Sequence, residues 1–343
     1  MSTPAYPTRR LRAHHGSLHD ITYFTPGPLS LIQDLGRHGH QHIGVSPGGP
    51  MDEHAFLWAN RLLDNPLNAP QIEITMGQFS CQFQADTTIA LTGADMSATV
   101  NGQPVAVWQS LHIRAGDQLS LSGARRGIRT YLAVKDGFRV TGILNSCATV
   151  MRDGLGGADR RGGKLAAQDL LEYKVTSPIP TRQVPQQFIP EYGQDISLNV
   201  IPGYQYDRFD KAERERFFSA EYTVTPQMDR MGYRLSGTAI HCQTTSLVSE
   251  GIALGAIQIP ADGQPIILMR DRQTIGGYPK IGCVTARDLS TLAQCQPGAK
   301  VRFIEKDLYQ AEAERVIEHH FFQGYVGKKH AEQILNQLTG PAE

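Results

Sequence analysis

Cysteine is scarce in this sequence, and its few copies stand far apart. They are Cys81, Cys147, Cys242, Cys283 and Cys295. No two of them form a C-x-x-C pair, which argues against a disulfide framework and a thiolate zinc site and fits a reducing compartment. The sequence also lacks an apolar run of about eighteen residues, the length that predicts a membrane-spanning helix. Since residues 1–20 lack the apolar core of a signal peptide as well, we expect a cytoplasmic chain.

The chain has no excess of charge of either sign. Lys plus Arg number 33 and Asp plus Glu number 33, so the formal net charge of the 343 residues is zero. A balanced chain has no long-range field that attracts nucleic acid or an anionic membrane, and we expect neither as a partner. What the sequence does have is 34 Gly and 20 Pro, which favour many turns over long helices.

Most apolar runs are short, strand-like and bounded by turn-forming residues, a pattern that predicts a mainly β fold with a few short helices. A chain of this length is long enough for two domains. The predicted divisions are a disordered leader at 1–20, a first β unit at 21–176, a Pro-containing linker at 177–195, a second β unit at 196–307 and a helical tail at 308–343. The predicted internal helices lie at 51–63, 207–219 and 286–293.

A glycine-rich loop precedes the first predicted helix. Gly48 and Gly49 lie in this loop, Asp34 and Arg37 come shortly before it, and Asp52 stands at the start of the helix. Free backbone N–H groups at a helix N-terminus can bind an anion, so these residues are candidate ligand-binding residues. A tight turn followed by an ordinary helix cap explains the same pattern, and both interpretations stay open.

Glu73 lies inside the apolar strand-like run I-E-I-T at 72–75. An unpaired carboxylate in a buried strand would be costly. Glu73 therefore either pairs with a cation or a ligand, or it lies on a solvent-facing side of the strand. The pattern alone does not choose between these alternatives.

The densest group of polar residues lies in the second half, where strand-like runs end in charged and glycine-containing loops. The candidate site residues of this region are Asp229, Arg230, Arg234, Glu250, Gln258, Asp271, Arg272, Gln273, Thr274, Gly276, Gly277 and Tyr278. Among them Arg272 could bind a carboxylate or phosphate through two N–H groups. Asp271 or Glu250 could hold a metal or act as a base. A structural network of ion pairs is the competing interpretation.

Many short blocks stand in a specific order between residues 22 and 307. They include Q-D-L-G-R, G-G-P-M-D, I-E-I-T, A-L-T-G-A-D, S-E-G-I, G-A-I-Q-I-P and D-R-Q-T-I-G-G-Y-P. Together they resemble the allophanate hydrolase subunit 2 family, also called KipA-like or biotin-dependent carboxyltransferase-like proteins. One departure is Ile275, where the family pattern has a second Thr. The resemblance implies two cyclophilin-like β-barrel units.

Within this family the chain resembles the C subunits of bacterial 5-oxoprolinases. That similarity implies an ATP-dependent hydrolase that opens 5-oxo-L-proline to L-glutamate, and that is inactive without its partners. The implied partners are a KipI-like subunit and a LamB/YcsF-type third subunit. ATP at a subunit interface and Mg²⁺ are the implied cofactors. Asp271, Arg272, Glu250 and Asp229 are the catalytic candidates, whereas no metal ligands are assigned.

Two other functions are compatible with the same resemblance. The chain could be the carboxyltransferase component of a biotin-dependent urea carboxylase or allophanate hydrolase system. Because it has no M-K-M biotin-attachment motif, biotin would then come from another chain. It could also be a non-catalytic regulatory partner of a KipI-like kinase inhibitor.

Overall fold

A computed structural model describes residues 18–167, 169–193, 195–244 and 247–338, with residues 23, 24 and 325–338 described in their backbone only. The predicted leader therefore lies mostly outside the described residues. Its last residues, 18–20, already belong to the first strand. Among the described residues, no helix combines the length and the apolar character needed to cross a membrane.

The first unit is built from two antiparallel sheets and one helix, α1 (Glu53–Leu62). Its strands are β1 (Leu18–Pro26), β2 (Leu29–Gln33), β3 (Gln71–Thr75), β4 (Gly77–Phe83), β5 (Thr87–Asp95), β6 (Thr99–Val100), β7 (Gln103–Pro104), β8 (Gln109–Ile113), β9 (Gln118–Gly123), β10 (Arg126–Val134) and β11 (Leu170–Lys174). One sheet has the order β11-β1-β4-β9-β6-β7 and the other β2-β3-β10-β5-β8.

The two sheets of the first unit share one apolar core. In β4, Phe79, Cys81 and Phe83 alternate with more exposed residues, as expected of a strand with one buried face. They pack in the same cluster as Ile89 of β5 and Leu132 of β10, which belong to the other sheet. β5 and β10 are buried over almost their whole length, because α1 covers their second face.

The second unit is dominated by a closed barrel with the strand order β12-β19-β16-β17-β14-β13-β20. Its strands are β12 (Asp195–Pro202), β13 (Glu221–Met228), β14 (Gly232–Ser236), β15 (Glu250–Gly251), β16 (Ala256–Gln258), β17 (Ile266–Leu268), β18 (Ile275–Gly276), β19 (Lys280–Val284) and β20 (Lys300–Glu305). β15 and β18 pair with each other outside the barrel, and we call this two-stranded sheet the flap. The helices are α2 (Lys211–Ser219), α3 (Ala286–Leu292) and α4 (Leu308–Leu338). The prediction of a mainly β fold with a few helices is confirmed.

Helix α4 packs against α1 through aromatic and ionic contacts. Phe322 is buried against Trp58, with ring centroids 5.6 Å apart. Glu53, at the start of α1, accepts hydrogen bonds from Arg315 of α4 at 2.5 Å and from Arg270 of the second unit at 2.6 Å. Burial alone would raise the pKa of Glu53, but the two guanidinium groups outweigh it and lower the pKa to about 2. Glu53 thus links three parts of the chain while ionised.

Replacing this carboxylate tests its contribution to stability. Glu53→Gln should lower the free energy of unfolding at pH 7 by up to about 3 kcal/mol, because the ionised side chain is favoured in the folded state. Since the folded pKa lies below the unfolded one, this stabilisation is present above pH 4.5 and is lost as the pH falls toward 2. The urea midpoints of the variant and the unaltered protein should therefore converge over that range.

Glu221→Gln is the matched control, because Glu221 forms more exposed ion pairs with Lys300 and Arg302. Such pairs contribute about 0–1 kcal/mol. A gap between Glu53→Gln and the unaltered protein that stays constant from pH 7 down to about pH 2 would contradict the ionic link.

Candidate functional site

The two units meet at a buried network of charges that contains several of the predicted site residues. Arg230, which follows β13, donates to Glu73 of the first unit at 2.5 Å and to both oxygens of Asp271 at 2.9 Å. Its Nη2 also donates to the carbonyl of Gly49 at 2.7 Å. Glu73 is fully buried and Arg230 is 6% exposed. The structure therefore brings Glu73, Arg230, Asp271 and Gly49 together across the junction of the units.

A second set of hydrogen bonds completes the surroundings of Glu73. Its other oxygen accepts from the Tyr131 hydroxyl at 2.7 Å and from the backbone N–H of Met51 at 2.8 Å. Arg129, on the strand next to Glu73, lies 4.0 Å from the carboxylate and also donates to the Tyr233 hydroxyl at 2.8 Å. Of the alternatives that the sequence left open for Glu73, pairing with a cation is the one observed.

The network balances its charges, since two arginines face two carboxylates. Burial opposes ionisation of Glu73, but Arg230 and Arg129 outweigh it and lower its pKa. Burial also opposes the charge of Arg230, whereas Asp271 and Glu73 raise its pKa. For Asp271, burial dominates and raises the pKa in spite of Arg230.

Nearly all the polar atoms of this network are paired inside the protein. Among the fully buried atoms of the network, Nε of Arg129 has no hydrogen-bond partner within the described residues. Both carboxylates and the whole guanidinium of Arg230 already have protein partners. The network therefore holds the two units together and has little remaining capacity for a ligand.

The glycine-rich loop is also internally satisfied. Gly49 N–H donates to Gln33 at 3.2 Å, and Asp52 N–H donates to the Tyr131 hydroxyl at 2.8 Å. Asp52 accepts from Ala55 N–H at 3.0 Å and so caps α1. These contacts are those of an ordinary helix cap, the second of the two interpretations that the sequence allowed.

Asp34 and Arg37 fix the loop that follows residue 145. Asp34 accepts from the Ser146 hydroxyl at 2.5 Å and from Cys147 N–H at 2.8 Å. Arg37 donates to the Ala148 carbonyl at 2.6 Å, while its Nη1 has no partner among the described residues. Gly48 has a φ of +67°, and a Cβ there would lie 2.7 Å from the Val150 side chain, so the close approach of the two loops requires glycine.

Asp229 and Arg234 lie apart from the network. Asp229 accepts from the backbone N–H groups of Met231 and Gly232 at 2.7 and 3.1 Å, which stabilises the turn between β13 and β14. Arg234 forms an ion pair with Asp262 at the protein surface. The structure gives neither residue a contact with Glu73, Arg230 or Asp271, so their predicted site roles gain no support from the geometry.

The flap covers a second group of predicted residues, which has unused hydrogen-bonding capacity. Arg272 is 5% exposed, and its side chain donates to two carbonyls, those of Ile252 at 3.2 Å and Met269 at 3.3 Å. No carboxylate forms an ion pair with it among the described residues. Burial and the neighbouring Arg270 lower its pKa to about 10. Arg272 is therefore a cation in a poorly solvated position that forms no direct ion pair within the described residues, although the charge of Asp271 acts in its favour.

Gln258 lies under the same flap. Its side-chain Nε2 is buried and has no hydrogen-bond partner within the described ranges. A Cβ on Gly276 would lie 3.0 Å from that nitrogen and 2.7 Å from the Ile252 side chain, so glycine allows the flap to lie directly on Gln258. Arg272 thus donates to the Ile252 carbonyl while Gln258 faces Gly276 of the flap, and each has an N–H group without an acceptor among the described residues. We call this pair and its flap the seat.

Charged residues form the rim of the seat. Glu250, on the flap, accepts from Lys280 at 2.8 Å and from Gln205 at 2.7 Å. The hydrogen bond from Lys280 lowers the pKa of Glu250. Lys280 also donates to the Tyr278 carbonyl at 2.9 Å, and its pair with Glu250 connects the start of β19 to the flap. The Glu250 side chain is 42% exposed, so this carboxylate is accessible to solvent at the rim.

The remaining predicted residues shape the flap through their backbones. The Thr274 carbonyl accepts from Ile252 N–H at 3.0 Å, and the Gly277 carbonyl accepts from Leu247 N–H at 2.7 Å. Gln273 is half-buried, and Tyr278 is 47% exposed. No group of three or more His, Cys, Asp and Glu side chains in the described part of the chain is arranged to hold a metal ion.

Several residues of these two clusters are not identified by the sequence patterns. Tyr131 begins the block Y-L-A-V, one of the blocks that carry the family resemblance, but the pattern gives it no site role, although its hydroxyl lies at the centre of the buried network. Arg129 lies in the strand-like run G-I-R-T-Y-L-A-V, where the sequence also allows a routine hairpin with Arg129 on the surface, whereas it is 3% exposed. Lys280 directly follows the Y-P dipeptide, and no sequence pattern predicts a site role for it. The sequence could have identified Arg129. It is a cation in one apolar strand and Glu73 is a carboxylate in another, and two such buried charges are expected to pair.

Comparisons with known proteins agree with the resemblance found in the sequence. Residues 43–305 match the family described as carboxyltransferase domain, subdomain A and B. The chain is 34% identical over 310 residues to the C subunit of 5-oxoprolinase from Escherichia coli (strain K12), covering 89% of this chain and 97% of that protein. It is 36% identical to the C subunit of 5-oxoprolinase from Haemophilus influenzae (strain ATCC 51907 / DSM 11121 / KW20 / Rd), covering 82% of this chain and 90% of that protein.

A solved structure with a similar fold is the urea carboxylase of Kluyveromyces lactis. Its TM-score is 0.83 at 26% sequence identity, covering 89% of this chain. This chain spans only 29% of the length of that urea carboxylase. It therefore corresponds to one region of the larger enzyme, whereas it corresponds to nearly all of the two bacterial subunits.

Mutation of Arg230 tests whether the buried network holds the two units together. Arg230→Met should lower the free energy of unfolding by about 3–5 kcal/mol, because Glu73 and Asp271 would be left buried without a close cation. Arg234→Met, at an exposed pair, should change it by no more than about 1 kcal/mol. Urea unfolding of both variants measures the difference. Equal, small effects would show that Arg230 is not the link between the units.

Proposed function

This chain belongs to the carboxyltransferase domain family, subdomains A and B, and from that premise we propose that it acts as the C subunit of a 5-oxoprolinase complex. Membership confirms the family resemblance carried by the ordered sequence blocks. The two bacterial relatives of this name match the chain over most of its length and most of theirs. The proposed reaction is the opening of 5-oxo-L-proline to L-glutamate.

The observation that carries this proposal is the unpaired cation of the seat. The substrate of this reaction carries one carboxylate, and a buried guanidinium without a counter-ion is a strong binding partner for it. Arg272 forms only two long hydrogen bonds, to carbonyls at 3.2 and 3.3 Å, so part of its guanidinium is not used inside the protein. A ligand that pairs with Arg272 also offsets part of the cost of burying its charge.

Gln258 gives the seat a second recognition element. Its unpaired Nε2 is a donor, and a lactam offers a carbonyl oxygen as acceptor. Ring opening adds water across the amide: the carbonyl carbon gains a hydroxyl, the C–N bond breaks, and the nitrogen takes a proton. A donor on the lactam oxygen stabilises the negative charge that develops there in the transition state. In this proposal Gln258 holds that oxygen and Arg272 holds the substrate carboxylate.

We propose that the ATP and Mg²⁺ sites of the reaction lie at an interface with other subunits. ATP, when bound, would supply the activation that an unreactive lactam needs. Mg²⁺ is commonly held by one or two carboxylates together with substrate phosphates, and Glu250 is a solvent-accessible carboxylate at the rim that could serve as one such ligand. We propose a KipI-like subunit and a LamB/YcsF-type subunit as the partners, and a cytoplasmic location for the complex.

Carboxyl transfer is the second candidate, favoured by the similarity to urea carboxylase at a TM-score of 0.83. The same seat could hold a carboxylated intermediate, because Arg272 binds carboxylates irrespective of their source. Biotin would come from another chain. Streptavidin blotting of proteins that co-purify with this one distinguishes the two functions, since only carboxyl transfer requires a biotinylated partner.

Mutation of Arg272 tests the seat in the assembled complex. Arg272→Gln should raise KM for 5-oxo-L-proline by at least about tenfold, since the contact with the substrate carboxylate is worth about 1.4 kcal/mol or more. Arg272→Lys should retain part of the binding, because it keeps the charge but loses the two-pronged geometry. The measurement is steady-state formation of glutamate by the complex.

Arg234→Gln is the matched control, because Arg234 lies on the surface of the same barrel and pairs with Asp262. Its kinetic constants should match those of the unaltered complex. If Arg272→Gln leaves KM and kcat unchanged in a complex of normal composition, Arg272 does not bind the substrate.

A further inference from the structure

A cleft of about 890 Å³ lies between the two units, beneath helix α4. Its walls come from the loop at Leu35, from α1 and from the second unit at Leu254 and Arg270, and its roof is the stretch of α4 that includes Arg315 and Phe322. The family match ends at residue 305, so α4 lies outside the matched region. The cleft is thus completed by a helix that the family match does not include.

One end of the cleft is ionic. Glu53 binds Arg270 with one oxygen and Arg315 with the other, at 2.6 and 2.5 Å. Arg315 has a second partner, because it also pairs with Glu318 at 2.9 Å. Arg270 lines the cleft and donates to Glu53 through Nη2 alone among the described residues. Arg270 therefore has N–H groups at the cleft that have no acceptor in the described part of the chain.

The other walls of the cleft are largely apolar. Leu57, Leu67, Leu254 and Phe322 line it, and Phe322 is 3% exposed, so the roof is firmly packed. A volume of this size is typical of sites for drug-sized organic ligands and exceeds what a five-membered lactam needs. An apolar body in contact with these side chains and an anionic group on Arg270 would satisfy both parts of the cleft.

We propose that the cleft binds a carboxylate-bearing molecule with an apolar body, its carboxylate on Arg270 and its body between α1, Leu254 and Phe322. This site is separate from the seat, since Arg270 bonds to Glu53 whereas Arg272 bonds to Ile252 and Met269. The two arginines flank Asp271 in the chain, so the two sites are neighbours at the same strand end. The proposal does not depend on the reaction proposed for the complex.

Octanoate is a suitable probe, because it joins one carboxylate to a short apolar chain. Isothermal titration of the full chain should give one site with a dissociation constant of about a millimolar or tighter. Arg270→Gln should weaken binding at least about tenfold, and Arg270→Lys should weaken it less because the charge is retained. Octanol, which lacks the carboxylate, should bind at least about tenfold more weakly than octanoate.

A variant that fills the cleft tests its location without touching the ion pairs. Leu254→Trp places a larger side chain in the cleft and should abolish binding, while Leu144→Trp is the control, since Leu144 is partly exposed and does not line the cleft. Saturation with octanoate should also change the fluorescence of Trp58, which packs against Phe322.

Three results would overturn the proposal. They are the absence of saturable octanoate binding up to about 10 mM, equal binding by Leu254→Trp and the unaltered protein, and equal binding of octanol and octanoate. Circular dichroism of each variant distinguishes lost binding from lost folding. If Arg270→Gln does not fold, Arg270→Lys and Leu254→Trp still decide the outcome.

Discussion

The shared guanidinium of Arg230 is the interaction on which the rest of this structure depends. It joins Glu73 of the two-sheet unit to Asp271 of the barrel at distances of 2.5 to 2.9 Å, in a buried position. Burying these charges is costly, and the geometry offsets that cost only while every partner is present. The network therefore determines how the two units fit together more than it adds net stability. That fit sets the position of Asp271, and with it the positions of Arg270 and Arg272 on either side.

The sequence predicts well what is decided locally. The helix predicted at 51–63 is observed as Glu53–Leu62, because Asp52 caps its start and apolar residues recur at helical spacing along it. The alternation of buried and exposed residues likewise predicts β4 without reference to the remainder of the chain. The need of Glu73 for a cation also follows from the sequence, since the cost of burying a lone carboxylate is a local property.

The identity of that cation is not predictable in the same way. Arg230 is 157 positions from Glu73, and its neighbour Asp229 belongs to the same polar cluster in the sequence. The turn between β13 and β14 directs Arg230 inward and leaves Asp229 capping backbone N–H groups. The glycine-rich loop poses the same problem. Whether its N–H groups bind an anion or a protein acceptor depends on Gln33 and Tyr131, which only the folded chain brings there.

A buried arginine that is paired with a carboxylate indicates a structural role, whereas one without a carboxylate partner indicates capacity to bind an anion. Arg230 has two carboxylates and so gains nothing further from an anion. Arg272 has none among the described residues, and desolvation lowers its pKa to about 10, so the fold holds it at a free-energy cost that a bound anion can offset. Folding alone would favour replacing such a side chain with an apolar one of similar size. Stability alone therefore does not account for the placement of Arg272 under the flap that also covers Gln258, which is why we propose Arg272 as a binding residue.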